Sequence, residues 1–212
     1  MYTQKIPGIS VNRARVSAVT IGVAILGSLA VSDRAIGAVP NPIVTGPVPA
    51  LATPGDPSHN YPFFSTTVDL PKVGYVEEEF LFEGTANRYN AIGGTLDSGH
   101  FYRTRMIVRR PASPSNFNGT VLMEWQNVFA GYDLDFAWVA ASEHIIRRGY
   151  AWIGVSVQRA SVDPPFGLKV WSPTRYVALD RSDGNTIPDD ALSFDVYSQA
   201  AQAVRSPSAF FL

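Results

Sequence analysis

Few residues in this chain have the types and spacing that chemistry needs. Gly154-Val-Ser156-Val-Gln158 comes nearest to a nucleophile elbow, where a serine stands on a sharp strand-to-helix turn between glycines. It lacks the second glycine and lies inside an apolar strand, so Ser156 reads as a core or edge hydroxyl. His59, His100 and His144 form no His-x-x-x-His or His-Glu-x-x-His pair, so no metal site is expected. Glycines 84, 93, 94 and 99 lack phosphate-loop spacing, no Gly-x-Gly-x-x-Gly occurs, and no cofactor is expected. Asp133 and Asp135 stand at i,i+2 near a helix start. They can form an acid pair, but capping the free helix amides is the simpler role. Asn127-Val-Phe-Ala-Gly-Tyr132 leaves the C-terminal end of a strand, where open α/β sheets place their ligands. Backbone amides there can stabilise an oxyanion, and Asn127, Gly131 and Asp133 are the loop candidates, although an ordinary strand-to-helix loop looks similar. Asn118-Gly-Thr120 matches a glycosylation acceptor but reads equally as an Asn-Gly turn.

The elements that must position these residues lie between Asn118 and Gln158. Thr120–Trp125 is a mostly apolar run, Phe136–Arg148 has helical periodicity with Gly149 as its stop, and Ala151–Val157 is a second apolar strand. Two strands joined by a helix imply a parallel pair. In the helix Phe136, Val139, Ala140 and Glu143 stand on one side, flanked by Trp138 and Ile145. Ahead of this unit, Tyr75–Glu83 partly alternates like a strand near an edge with one wet face. Ala91–Gly99 reads as an irregular excursion, and Arg103–Arg110 as the next strand, antiparallel to the first. A last periodic run, Asp190–Arg205, buries Leu192, Val196, Ala200 and Ala203 or Val204. The fold class expected is α/β, a mostly parallel central sheet flanked by helices, with leading antiparallel strands. In that four-stranded sheet Ala151–Val157 is apolar on both faces yet lacks one neighbour. Such an edge is an aggregation hazard, so either another chain completes it or the domain is incomplete.

Of the 212 residues 46% are hydrophobic, which suffices for one domain, and the formal net charge is −1 without a long basic run. Nucleic acid and anionic membrane surfaces are therefore not expected partners. With no cysteine, disulfides, thiolate metal sites and cysteine nucleophiles are excluded. Lys5, Arg13 and Arg15 precede an uncharged apolar region, Val16–Ala30, followed by small residues at two cleavage points, after Ala30 or Ala38. Residues 1–38 thus read as an export signal for the periplasm or extracellular space. An uncleaved anchor is the alternative, although the apolar run falls short of the ~20 residues that a spanning helix needs. Residues 39–72 are proline-rich and read as an extended lead-in without a strand layer; residues 73–212 hold the folded domain.

Several phrases together resemble a bacterial group named for an α/β-hydrolase domain. They are Gly84-Thr-Ala-Asn-Arg-Tyr89, Tyr102–Pro111, Phe117–Asn127, Arg148–Gln158 and Tyr197–Arg205. The resemblance covers about Pro71 to Arg205 and points to the N-terminal half of such a domain, an incomplete α/β-hydrolase fold. It implies a serine hydrolase acting on a small ester or related acyl compound, with the Val128 and Phe129 amides as oxyanion-hole donors. It also implies an elbow serine, an acid and a histidine beyond the residues present, and hence a fragment that is inactive alone and lacks a C-terminal half. The alternative is a secreted, non-catalytic binding or assembly protein. Its support is the missing nucleophile and the aromatics Trp125, Phe129, Tyr132, Phe136 and Trp138 around one loop.

Overall fold

In the computed structural model, which describes residues 38–205, five strands form one sheet in the order β1-β2-β3-β5-β4. The strands are β1 (Ile43–Thr45), β2 (Tyr75–Tyr89), β3 (Thr95–Pro111), β4 (Val121–Trp125) and β5 (Ala151–Val155). Only β4 and β5 run parallel; β1–β2, β2–β3 and β3–β5 are antiparallel. The expectation of a mostly parallel sheet is thereby overturned. The cause is the length of the β2–β3 hairpin, which turns at Asn90–Gly94 and runs from Tyr75 to Pro111. Residues read as an irregular excursion are its outer rungs, and β3 then flanks β5 from the opposite direction. Of the predicted export signal, residues 1–38, all but Ala38 lie outside the described residues.

The apolar β5 is not an edge. It lies between β3 and β4 with all five residues buried, and this central position explains its two apolar faces. Among the described residues the edges are β1 and, on the β5 side, β4. Alternate residues of a parallel ladder bond to one neighbour, so Val121, Met123 and Trp125 direct their backbone groups away from β5. The Tyr197 hydroxyl donates to the Met123 carbonyl at 2.9 Å and so occupies part of that edge.

Among the described residues there are five α-helices, of which α1 (Phe136–Arg148) and α5 (Ser193–Arg205) are long, and α2 (Arg159–Val162), α3 (Leu168–Trp171) and α4 (Pro173–Tyr176) are single turns. Helix α1 has the expected bounds and ends where Gly149, with φ of 67°, takes the left-handed cap position and donates to the Ile145 and Ile146 carbonyls. Its buried face differs from the side that carries Phe136 and Val139. Trp138 and Ile145 are buried, whereas Phe136 and Val139 are 53% and 70% exposed. Trp138 leads because it can meet Trp152 of β5 at 5.7 Å and cover the Arg109 guanidinium at 4.7 Å. On the other face of the sheet, Leu192, Val196 and Ala200 pack with Phe80, Phe82, Met106, Ile153 and Val155, as the periodicity of the last run implies.

The proline-rich segment is bound to the sheet. Ile43–Thr45 pairs with Leu81–Glu83, a strand where none was expected, and an outermost position suits a segment poor in amide donors. Beyond it, Val48 N–H donates to the Glu79 carbonyl, and Arg175 donates to the carbonyls of Val48 and Pro49.

Candidate functional site

Two arginines on one face of β3 build the ground beneath the candidate loop. Side chains of a strand alternate, so Arg105 and Arg109 point the same way with Ile107 between them. Both are fully buried, and such cations are tolerable only when paired. Arg105 bonds Glu79 at 2.8 Å, Asp133 at 3.2 Å, the Ser156 hydroxyl at 3.1 Å and the Phe63 carbonyl at 3.1 Å. Burial opposes its charge, but Tyr176, Glu79 and Asp133 outweigh that and hold the guanidinium above its ordinary pKa. Arg109 pairs with Glu77 and Asp135, donates to the Phe64 carbonyl, and lies between the faces of Trp138 and Trp152. The face of β2 expected to be wet is therefore the acidic half of this network.

Neither aspartate near the helix start caps it with its side chain. Asp135 is drawn to Arg109, and Asp133 to Arg105 and to Ser156, whose hydroxyl donates at 2.5 Å. The Ala137 amide is served instead by Glu124 of β4, at 2.9 Å. Burial pushes the Glu124 carboxyl above its usual range, opposed by its bonds from Ala137 and Trp152. Ser156 is wholly buried in this network, as a core hydroxyl would be. The second oxygen of Asp133 is buried without a hydrogen-bond partner among the described residues.

The loop between β4 and α1 is clamped at its neck, where Asn127 and Leu134 exchange backbone hydrogen bonds. Within it the Asn127 side chain accepts the Phe129 amide at 2.7 Å, and Gly131, with φ of 85°, donates its amide to the Val128 carbonyl. The Val128 amide has no hydrogen-bond partner among the described residues. Phe129 is 91% exposed. The five candidates thus fall into one loop, with Asp133 at its buried end.

The sequence reading missed the apolar cleft beside this loop. Phe63, Phe64, Tyr132, Pro165, Phe166, Val170 and Trp171 enclose about 360 Å³. Phe166 packs so closely on the loop that a Cβ at Gly131 would meet its ring at 2.9 Å. These residues come from three distant segments without a common period; only their aromatic content could have marked them. The aromatics that were singled out disperse: Trp138 enters the core, and Trp125 packs edge-on against Phe194 and at a tilt against Tyr197.

The histidines stay apart. His59 stacks on Trp171 and its Nδ1 meets the Trp171 carbonyl at 2.5 Å; His144 lies against Tyr150. His100 sits between Asp97 at 2.7 Å and Asp183 at 3.1 Å. Only an imidazolium donates from both nitrogens, and the bonds to Asp97 and Asp183 raise its pKa above the ordinary value. A raised folded-state pKa contributes stability that is fully present below the unfolded value of about 6.5 and is lost as pH rises through the folded value. His100→Gln should therefore lower Tm relative to the native protein at about pH 5.5 and cease to do so at alkaline pH; an equal gap at both ends would refute the linkage. Among the described residues no serine hydroxyl bonds to a histidine, and no group of His, Asp or Glu side chains is placed to hold a metal ion. No described helix is long and apolar enough to cross a membrane.

A strand-loop-helix-strand unit on this sheet, with its loop at the C-terminal end of the parallel pair, is the frame of a layered α/β domain. The chain belongs to the alpha/beta hydrolase domain family, whose family model matches residues 44–212. That span corrects the expected restriction to an N-terminal half, since it covers nearly the whole chain and takes in most of β1 and of the proline-rich segment. Prolines carry no hydrophobic period, so the quoted phrases began only near Pro71. No curated protein and no solved structure matches the chain.

Proposed function

We propose that this chain is an exported protein of the acyl-hydrolase type, whose described residues supply the oxyanion side of the site rather than the nucleophile and its base. The observation that carries this reading is the Val128 amide, a donor without an acceptor among the described residues, at the C-terminal end of the parallel pair. In acyl transfer, a fixed N–H aimed at the developing oxyanion stabilises it without reorganisation. Phe129 is the second donor in this proposal. Its amide is held by Asn127, so a substrate oxygen seated at Val128 must compete with that side chain for it. Gly131 turns the loop back, and Asp133 ties its end to Arg105. The substrate class is a small ester or related acyl compound.

Because no described serine is paired with a histidine, purified full-length chain should release no product from 4-nitrophenyl butyrate above a denatured control. Steady turnover abolished by a serine-directed fluorophosphonate would overturn the reading. Export is supported by the basic residues ahead of Val16–Ala30. A mature N-terminus after Ala30 or Ala38 in the secreted fraction is expected; an intact N-terminus in the membrane fraction would make the segment an anchor.

A further inference from the structure

We infer that the aromatic cleft beside the β4–α1 loop binds a neutral ligand with a phenyl-sized apolar body and one carbonyl acceptor. This deepens the acyl-hydrolase reading, on which the choice of a carbonyl compound rests. Three observations carry it. The inner wall is fixed in advance: the Phe63 and Phe64 carbonyls are held by the buried Arg105 and Arg109, and the Phe63 ring packs edge-on against Tyr132 at 5.8 Å and Trp171 at 5.1 Å. Phe166 and Val170 on the opposite side are 60% and 49% exposed, apolar surface that water alone covers poorly. The volume of about 360 Å³ lies within the range of small-molecule sites.

The chemistry of the lining selects the ligand. No lining side chain is charged, so an ionised ligand would lose hydration without a counter-ion. The lining is almost wholly apolar; the polar side-chain groups on its residues are the Tyr132 hydroxyl and the Trp171 indole N–H, and neither bonds to a described residue. An indole N–H only donates and a phenol donates readily, so the complement is an acceptor such as an ester or ketone oxygen. Ring faces and edges on the inner wall favour an aromatic body over a flexible chain, because a rigid ring loses little entropy on entry. The cleft adjoins Gly131, so a carbonyl carried by such a body stays beside the loop that holds Val128.

The probe is 4-phenyl-2-butanone, a ketone with no bond to hydrolyse, titrated into full-length protein by calorimetry. Saturable binding with Kd on the order of 0.1–1 mM is expected for a ligand of this size. 3-Phenylpropionate, the ionised counterpart, should bind about tenfold or more weakly. Val170→Asp, at a half-exposed position, should leave Tm unchanged and weaken the ketone about tenfold or more. Phe166→Ser, which opens the outer wall, should weaken it too. No saturation by the native protein overturns the inference, as does equal affinity in both variants or tighter binding of the carboxylate. Failure here leaves the functional reading standing. Ester turnover by the chain, with ketone binding intact, would sink the functional reading and leave the cleft.

Discussion

Arg105→Met lowers the unfolding free energy by about 3–5 kcal/mol, the usual cost of removing one partner from a buried ion pair. The charge is enclosed by Glu79, Asp133, the Ser156 hydroxyl and the Phe63 carbonyl, and Glu79 and Asp133 are themselves buried. Methionine fills the volume but leaves these groups short of their common donor. Glu79 keeps Arg175 at 2.6 Å and the Tyr176 hydroxyl at 2.7 Å, so the larger injury falls on Asp133, which among the described residues retains only the Ser156 hydroxyl. Urea denaturation of native and variant proteins at neutral pH measures this. A loss below about 1 kcal/mol at neutral pH would mean that the pair roughly breaks even against an apolar replacement.

Trp152→Ala should cost about 3–5 kcal/mol, the range for deleting a large buried aromatic side chain. Trp152 is fully buried in the central strand, packs at a tilt against Trp138, covers Arg109 at 4.6 Å and donates to Glu124 at 3.0 Å. Removing it opens a cavity and strips one aromatic face from a buried cation. It also frees the carboxylate that receives the Ala137 amide at the start of α1. Trp152→Phe separates these effects, because it keeps most of the ring and loses the N–H. Its cost should fall near 1–2 kcal/mol. If alanine and phenylalanine variants melt alike, the hydrogen bond to Glu124 outweighs packing, contrary to the argument.

Local signals were legible where one segment decided its own conformation. Helical spacing with a glycine stop placed α1 within its observed bounds, and the last run buried Leu192, Val196 and Ala200 as its period required. The strand-helix-strand order led to the parallel pair β4–β5, and the turn-rich Asn127–Tyr132 marked the loop that lies at its C-terminal end. The family phrases pointed to the alpha/beta hydrolase domain, though their limits were drawn too narrowly.

What the tertiary structure decided was pairing between distant segments. An apolar strand looks the same at an edge or in the centre, and only its neighbours placed β5 inside the sheet. Glutamates on alternate positions of β2 look solvated until arginines four residues apart on β3 face them. Aspartates before a helix look like caps until a buried cation attracts them more strongly than a backbone amide does. The aromatic cleft is the extreme case, because Phe63, Tyr132 and Phe166 share no period and meet only when the chain folds. The sequence by itself determined which segments could be helix, strand or loop, since those choices depend on near neighbours. Folding determined which charges are paired and where a ligand has room, since both depend on residues that sequence separation hides.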